Sequence, residues 1–282
     1  MTWWVDAHQH FWRYSAQERD RIHADRTALR REFLPSQLIS EMIRSGVDAT
    51  IAVQARQTVA ETEWLLKLAG EHPFVAGVVG WAPLSRPDFP ADLERLIASP
   101  KLRGLRHILQ DEPDDNYMLG DAFNRSVTLL KNHDLVYEIP ICEHHLPNAV
   151  QFVDRHPNQK FVVDQLAMPR ILAKESSPFS RHIRELARRP QVSCKLSGLV
   201  TEANWNHWTV DDLRPYVETT LEVFGPRRIL AGSGWPGCSL ATGYQRWWQT
   251  LLTVLSGLSD SERNAVLGGN AIEIYNLKGL EL

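Results

Sequence analysis

VDAHQHFW, residues 5–12, opens as a short apolar run and closes on two histidines one residue apart. Alternation along a strand puts His8 and His10, together with Asp6, on one face. Seven further runs of this kind follow: ATIAVQA from Ala49, FVAGVVGW from Phe74, LRGLRHIL from Leu102, LVYEIPIC from Leu135, KFVVDQL from Lys160, QVSCKLS from Gln191 and RILAGSG from Arg228. Between them lie amphipathic stretches such as LPSQLISEMIRSG, TEWLLKLAGEH and DLRPYVETTLEVFG, several stopped by Gly or a following Pro. Strand then helix, eight times at intervals of roughly 25–40 residues, predicts an α/β fold of the (β/α)8 barrel type. No Gly/Ser linker or shift of composition divides the chain, so one domain over residues 1–282 is expected, closed by a helix from about Asp260 to Tyr275.

The 282 residues are 43% hydrophobic and 23% charged with a net charge of −3, a balance that suits a large buried core. The basic residues are dispersed, so neither nucleic acid nor an anionic membrane is implied as a partner. MTWWVDAHQHFW has no basic and apolar leader pattern, and no stretch approaches the roughly 18 apolar residues of a membrane span, which reads as cytoplasmic. The three cysteines, Cys142, Cys194 and Cys238, are too scattered for a disulfide framework and are expected as reduced thiols. Cys194 alternates with Lys195 and so should face away from the barrel interior, in packing.

Working residues of such a barrel sit where its strands end. That rule selects His8 and His10 on the first strand, Gln54 and Arg56 on the second, Trp81 on the third, Arg106 and His107 on the fourth and Lys195 on the seventh.

VDAHQHFW, VQARQT, VVGWAPL, LRGLRHILQDEPDD, HHLP, CKLSGLVTEANW and GSGWPGC, in this order over nearly the whole chain, resemble the lactonase branch of the amidohydrolase superfamily. The branch hydrolyses sugar-acid lactones and pyrone or muconolactone dicarboxylates. The resemblance implies a barrel that opens a cyclic ester with water activated by an acid after the eighth strand, sometimes beside a metal held by the first-strand histidines. The family loop reads G-S-D-W-P, whereas here Gly234 precedes Trp235. The family's D-H-x-x-K-P is D-Q-L-A-M-P, with Gln165 and Met168 in place of histidine and lysine. Glu138 stands where Asp is usual, Pro140 and Cys142 stand where bulkier residues are expected, and Gly237 replaces a common valine. These departures gather at the mouths of strands five, six and eight, the pattern of a pocket emptied and refitted by divergence or computational redesign.

Cys142 and His144 are two residues apart. If strand five persists they face the same way, and the imidazole can draw the thiol proton to give a nucleophilic thiolate and an acyl-enzyme. Gln165, Trp81 or backbone N–H groups would then donate to the oxyanion. With Gln165 and Gly234 in the usual ligand positions, no metal and no other cofactor is expected. Three readings follow: an esterase using Cys142 and His144, a metal-independent lactonase using His8, His10 or Glu138, and a binding relative without turnover. The expected ligand is a small ester or lactone, held by His8, His10, Gln54, Trp81, Arg106, His107, Glu138, Gln165, Lys195, Gly234 and Trp235, in a monomer or small homo-oligomer.

Overall fold

In the computed structural model, which describes residues 2–14 and 24–280, each of the eight apolar runs forms one strand. These are β1 (Val5–Gln9), β2 (Ala49–Val53), β3 (Val75–Gly80), β4 (Leu102–Arg106), β5 (Val136–Ile139), β6 (Phe161–Val163), β7 (Val192–Leu196) and β8 (Ile229–Ala231). All are parallel and neighbours in space in the order of the chain. Past β8 the ring is closed by Gly234 N–H donating to His8 O and His10 N–H to Trp235 O, both at 2.7 Å. The expected (β/α)8 barrel is therefore what the chain forms.

Eight helices alternate with the strands: α1 (Pro35–Ser45), α2 (Val59–Glu71), α3 (Phe89–Ile97), α4 (Asp121–Leu130), α5 (Leu146–Asp154), α6 (Ser177–Ala187), α7 (Val210–Phe224) and α8 (Tyr244–Val254). Local chemistry sets their ends. Thr58 Oγ1 accepts from Glu61 N–H to start α2, Thr209 and Asp212 cap α7 reciprocally, and α1 stops at Gly46 with φ of +70°, a conformation open to glycine. The expected closing helix is two short α-helices, α9 (Asp260–Asn264) and α10 (Asn270–Ile274), joined by a π-helical turn over Ala265–Gly269. No helix among the described residues is long and apolar enough to cross a membrane.

Burial divides into two layers. Val5, Ala7, Ile51, Val53, Val79, Val136, Val162 and Leu230 fill the barrel together with Tyr275 from beyond α10. Cys194 instead lies in the larger layer between strands and helices, as its alternation with Lys195 predicts. One expectation of parity fails. Asp6 pairs with Thr50 and Gln9 with Ala52, three steps on β1 against two on β2, so β1 carries an extra residue that turns its later side chains over. His8 and His10 consequently reach the interior. Asp6 faces outward, accepting from Ser233 Oγ at 2.6 Å, Ser233 N–H at 2.8 Å and the α8 hydroxyl of Tyr244 at 3.0 Å.

Candidate active site

The strand register builds a charged cluster inside the ring. Arg106 pairs with Glu138 across β4 and β5, and Lys195 stands beside the interior residue Leu230 across β7 and β8. Lys195 Nζ lies 2.5 Å from Glu138 Oε1 and 3.1 Å from Asp164 Oδ1. Asp164, in the turn that follows β6, in turn takes Arg106 Nη1 at 2.9 Å on its other oxygen. Tyr275 OH donates to Glu138 Oε1 at 2.5 Å. Two carboxylates and two cations thus balance in a space that excludes water, the condition under which buried charge is tolerated. Burial and the neighbouring charge of Asp164 push Glu138 up to about 7. Burial acts on Asp164 in the same sense, but the charges of Lys195 and Arg106 outweigh it and hold Asp164 well below the usual carboxylate range.

Both first-strand histidines are fixed as the same tautomer. Arg106 Nη1 stands 3.5 Å from His8 Nε2 and can only donate, so His8 carries its proton on Nδ1 and gives it to Ser197 Oγ at 2.8 Å. His10 Nδ1 donates to Val53 O at 2.8 Å. Its Nε2 is left as a lone pair with no hydrogen-bond partner among the described residues, on a half-buried side chain. Burial, joined by Lys195 and Arg106, holds His8 well below the ordinary imidazole value, and burial with the Arg106 charge holds His10 at about 3. Each is a neutral base at neutral pH.

After β6 the backbone turns left-handed without a glycine to ease it. Gln165, Leu166, Ala167 and Met168 all have positive φ, between +46° and +59°, four consecutive left-handed residues. Each costs about 1–2 kcal/mol relative to the right-handed form, and such strain concentrates at functional sites. It sets the Gln165 amide against Gly198, where a Cβ would stand 2.3 Å from Gln165 Nε2. A Cβ on Gly234 would stand 3.3 Å from Gly198 Cα and 4.0 Å from the same nitrogen. Gly198 and Gly234 also have positive φ, +67° and +65°, so the three positions form one tight corner beside His8.

Of the other expected residues, Arg106 Nη2 donates to the backbone oxygen of Gln54 at 2.7 Å, while the Gln54 side-chain amide is buried without a partner among the described residues. Trp81 Nε1 donates to His107 Nδ1 at 3.1 Å, and His107 Nε2 donates to Glu112 at 2.6 Å with its ring stacked on Tyr117, a pair set in the loops around β3 and β4. Trp235 is buried edge-on against Phe11 and Phe33, where it packs the β8 loop onto the start of the chain. Asp164, Ser197 and Tyr275 were not among the expected site residues. Asp164 had a signal in the D-Q-L-A-M-P stretch. Tyr275 had none, because a residue after the last helix has no place in a rule about strand ends.

The expected geometry of Cys142 and His144 is corrected. β5 ends at Ile139, before Pro140, which has no N–H for the ladder, and Cys142 opens a 3-10 turn over Glu143–His145. Strand parity does not reach either residue. The Cys142 amide donates to His145 Nδ1 at 3.2 Å, and His144 is 59% exposed with its Nε2 3.6 Å from Asp115. Burial, then the carboxylates of Glu202, Asp111, Glu143 and Asp115, push the Cys142 thiol up to about 11, the opposite of what a thiolate nucleophile requires.

His8 and His10 are the donors a metal at this mouth would use. The set does not fit one: the Arg106 guanidinium stands 3.5 Å from His8 Nε2, the nitrogen a metal would need.

The family model described as amidohydrolase matches residues 5–277. The chain belongs to the amidohydrolase family. Two amidohydrolase relatives are named L-fucono-1,5-lactonase: one from Burkholderia multivorans, 39% identical with 97% of this chain and 96% of the relative covered, and one from Burkholderia ambifaria, 36% identical with 98% and 97% covered. A crystal structure of a Burkholderia multivorans amidohydrolase with bound zinc superposes with a TM-score of 0.92 at 38% identity, covering 98% of this chain and 99% of that one. The names of these relatives support the lactone side of the expected alternatives and lend nothing to a cysteine esterase or a redesigned pocket.

Proposed function

We propose that this amidohydrolase opens the internal ester of a sugar-acid lactone by direct attack of water at the His10, Arg106 and Gln165 corner of the barrel mouth. The observation that carries the reading is the full-length likeness to two L-fucono-1,5-lactonases at 39% and 36% identity. The geometry supplies the chemistry. His10 Nε2 accepts a proton from the attacking water, because its other nitrogen is committed to Val53 O and no donor among the described residues occupies the lone pair. Arg106 and the Gln165 amide donate to the carbonyl oxygen as it gains charge. Water adds to the carbonyl carbon, the ring C–O bond breaks, and the proton held by His10 passes to the departing alkoxide, giving a hydroxy acid. Glu138, sealed behind Lys195 and Tyr275, holds the lysine rather than meeting substrate.

The test is hydrolysis of 1,5- and 1,4-aldonolactones followed by acid release, corrected for spontaneous opening. Turnover is expected for at least one fuconolactone-like compound, reduced about 10²-fold or more in kcat by His10→Gln. Binding without turnover would reject hydrolysis. An unchanged kcat in His10→Gln would reject the role of His10 alone.

A further inference from the structure

Outside the barrel mouth, the described residues contain one group of three Cys, His, Asp or Glu side chains close enough to hold an ion: Cys142, His144 and His145, with one donor atom of each within 4.8 Å of the others. Asp115, from the loop between β4 and α4, joins them. Its Oδ1 lies 3.2 Å from His145 Nε2 and 3.6 Å from His144 Nε2. We propose that these four side chains form a site for a zinc-like divalent cation on the rim of the barrel.

The spacing suits the ion. Tetrahedral zinc with bonds of about 2.0–2.3 Å sets its ligand atoms roughly 3.3–3.8 Å apart, close to the separations at Asp115. The donor set is one thiolate, two imidazoles and one carboxylate, the mixture that selects zinc and its neighbours over magnesium or calcium. When Cys142 loses its proton to solvent on binding, the two anionic ligands neutralise the ion.

A second observation points to a missing ligand. The His145 side chain is 2% exposed and, among the described residues, its Nε2 has no well-aligned hydrogen bond, its nearest partner being the exposed carboxylate of Asp115 at 3.2 Å. A buried ring nitrogen in this state costs free energy that a metal bond would recover. His145 Nδ1 accepts the Cys142 amide over a long 3.2 Å. Loading through Nε2 moves the ring proton to Nδ1, so this one hydrogen bond is exchanged for the metal bond.

The frame is in place beforehand. Cys142 to His145 lie in one turn at the start of α5, and Asn148 Nδ2 of that helix donates to Asp115 O at 2.8 Å, holding the opposing loop. Cys142 is half-buried, which leaves a path for the ion, whereas Cys194 and Cys238 are fully enclosed. The carboxylates of Glu202, Asp111 and Glu143 that disfavour a free thiolate favour a dication in the same field.

The experiment is titration of the EDTA-treated full chain with cobalt(II), followed by absorption and equilibrium dialysis. One equivalent should bind with a near-ultraviolet thiolate-to-cobalt band and the visible bands of a tetrahedral ion. Cys142→Ser should lose the ultraviolet band. The exposed substitution Asp115→Asn, which spares the fold, should weaken binding at least tenfold, and His10→Gln should leave both band and stoichiometry intact. The proposal is overturned if no cobalt binds, if the band survives Cys142→Ser, if Asp115→Asn binds as tightly as the unaltered chain, or if His10→Gln abolishes the single equivalent.

Discussion

Lys195 Nζ and Glu138 Oε1 meet at 2.5 Å inside the barrel, with neither side chain exposed to solvent. Lys195 also lies 3.1 Å from Asp164, and it is the cation that lets two carboxylates share the interior. Removing it leaves Glu138 without a cation and Asp164 with Arg106 alone.

Lys195→Met is therefore expected to destabilise the fold by about 3–5 kcal/mol, the range for breaking a buried pair from one side. Glu138→Gln should cost less, below about 2 kcal/mol, because the amide oxygen still accepts from Lys195 and Tyr275 and because burial already favours an uncharged group at that position. Denaturant midpoints at constant m-value separate the two. Equal losses would place the stabilisation outside the ion pair.

Acid should weaken the fold through its neutral histidines. The folded value of His10 is lowered from 6.5 to about 3, so the folded state refuses a proton that the unfolded chain takes up. The stability linked to His10 is complete above 6.5, declines as pH falls below it and is lost by about 3. In His10→Gln the unfolding midpoint should vary less between pH 6.5 and 4.5 than in the unaltered chain, and a slope that stays the same would remove His10 from the linkage. The same low value predicts a kcat profile for lactone hydrolysis with no histidine break between pH 5 and 8.

How much of this lay open in the sequence depends on the length of chain that each feature needs. The eight strands were legible because each is a run of apolar residues bounded by helical periodicity, a signal spread over many positions. The convergence of Arg106, Lys195 and Glu138 followed from their places along three of those strands. The facing of Asp6 did not follow, because one extra residue in β1 reverses parity and no residue type marks it. The left-handed run from Gln165 to Met168 was equally silent, since none of the four is a glycine and tertiary packing imposes the conformation. Pro140 was a signal available to be used: it stops β5 at Ile139 and takes Cys142 out of the strand.

Gly198 follows β7 and Gly237 follows β8, yet they should respond differently to a methyl group. At Gly198 an added Cβ would meet Gln165 Nε2 at 2.3 Å, and φ is +67°. The backbone term alone is about 1–2 kcal/mol. The long Gln165 side chain can swing aside, so the contact is relieved by displacing the amide proposed to donate to the lactone carbonyl. Gly198→Ala should accordingly lower kcat by about 10²-fold, as loss of one oxyanion donor does, with a smaller change in KM. Gly237 has open space around its Cβ position and no positive φ, so Gly237→Ala should stay within about 0.5 kcal/mol in stability and leave kcat unaltered. Gln165→Leu completes the comparison: it should reproduce the kcat loss of Gly198→Ala without its backbone cost. If Gly198→Ala is destabilised yet turns over normally, or Gln165→Leu keeps full kcat, the amide of Gln165 is not the donor and the left-handed turn serves packing alone.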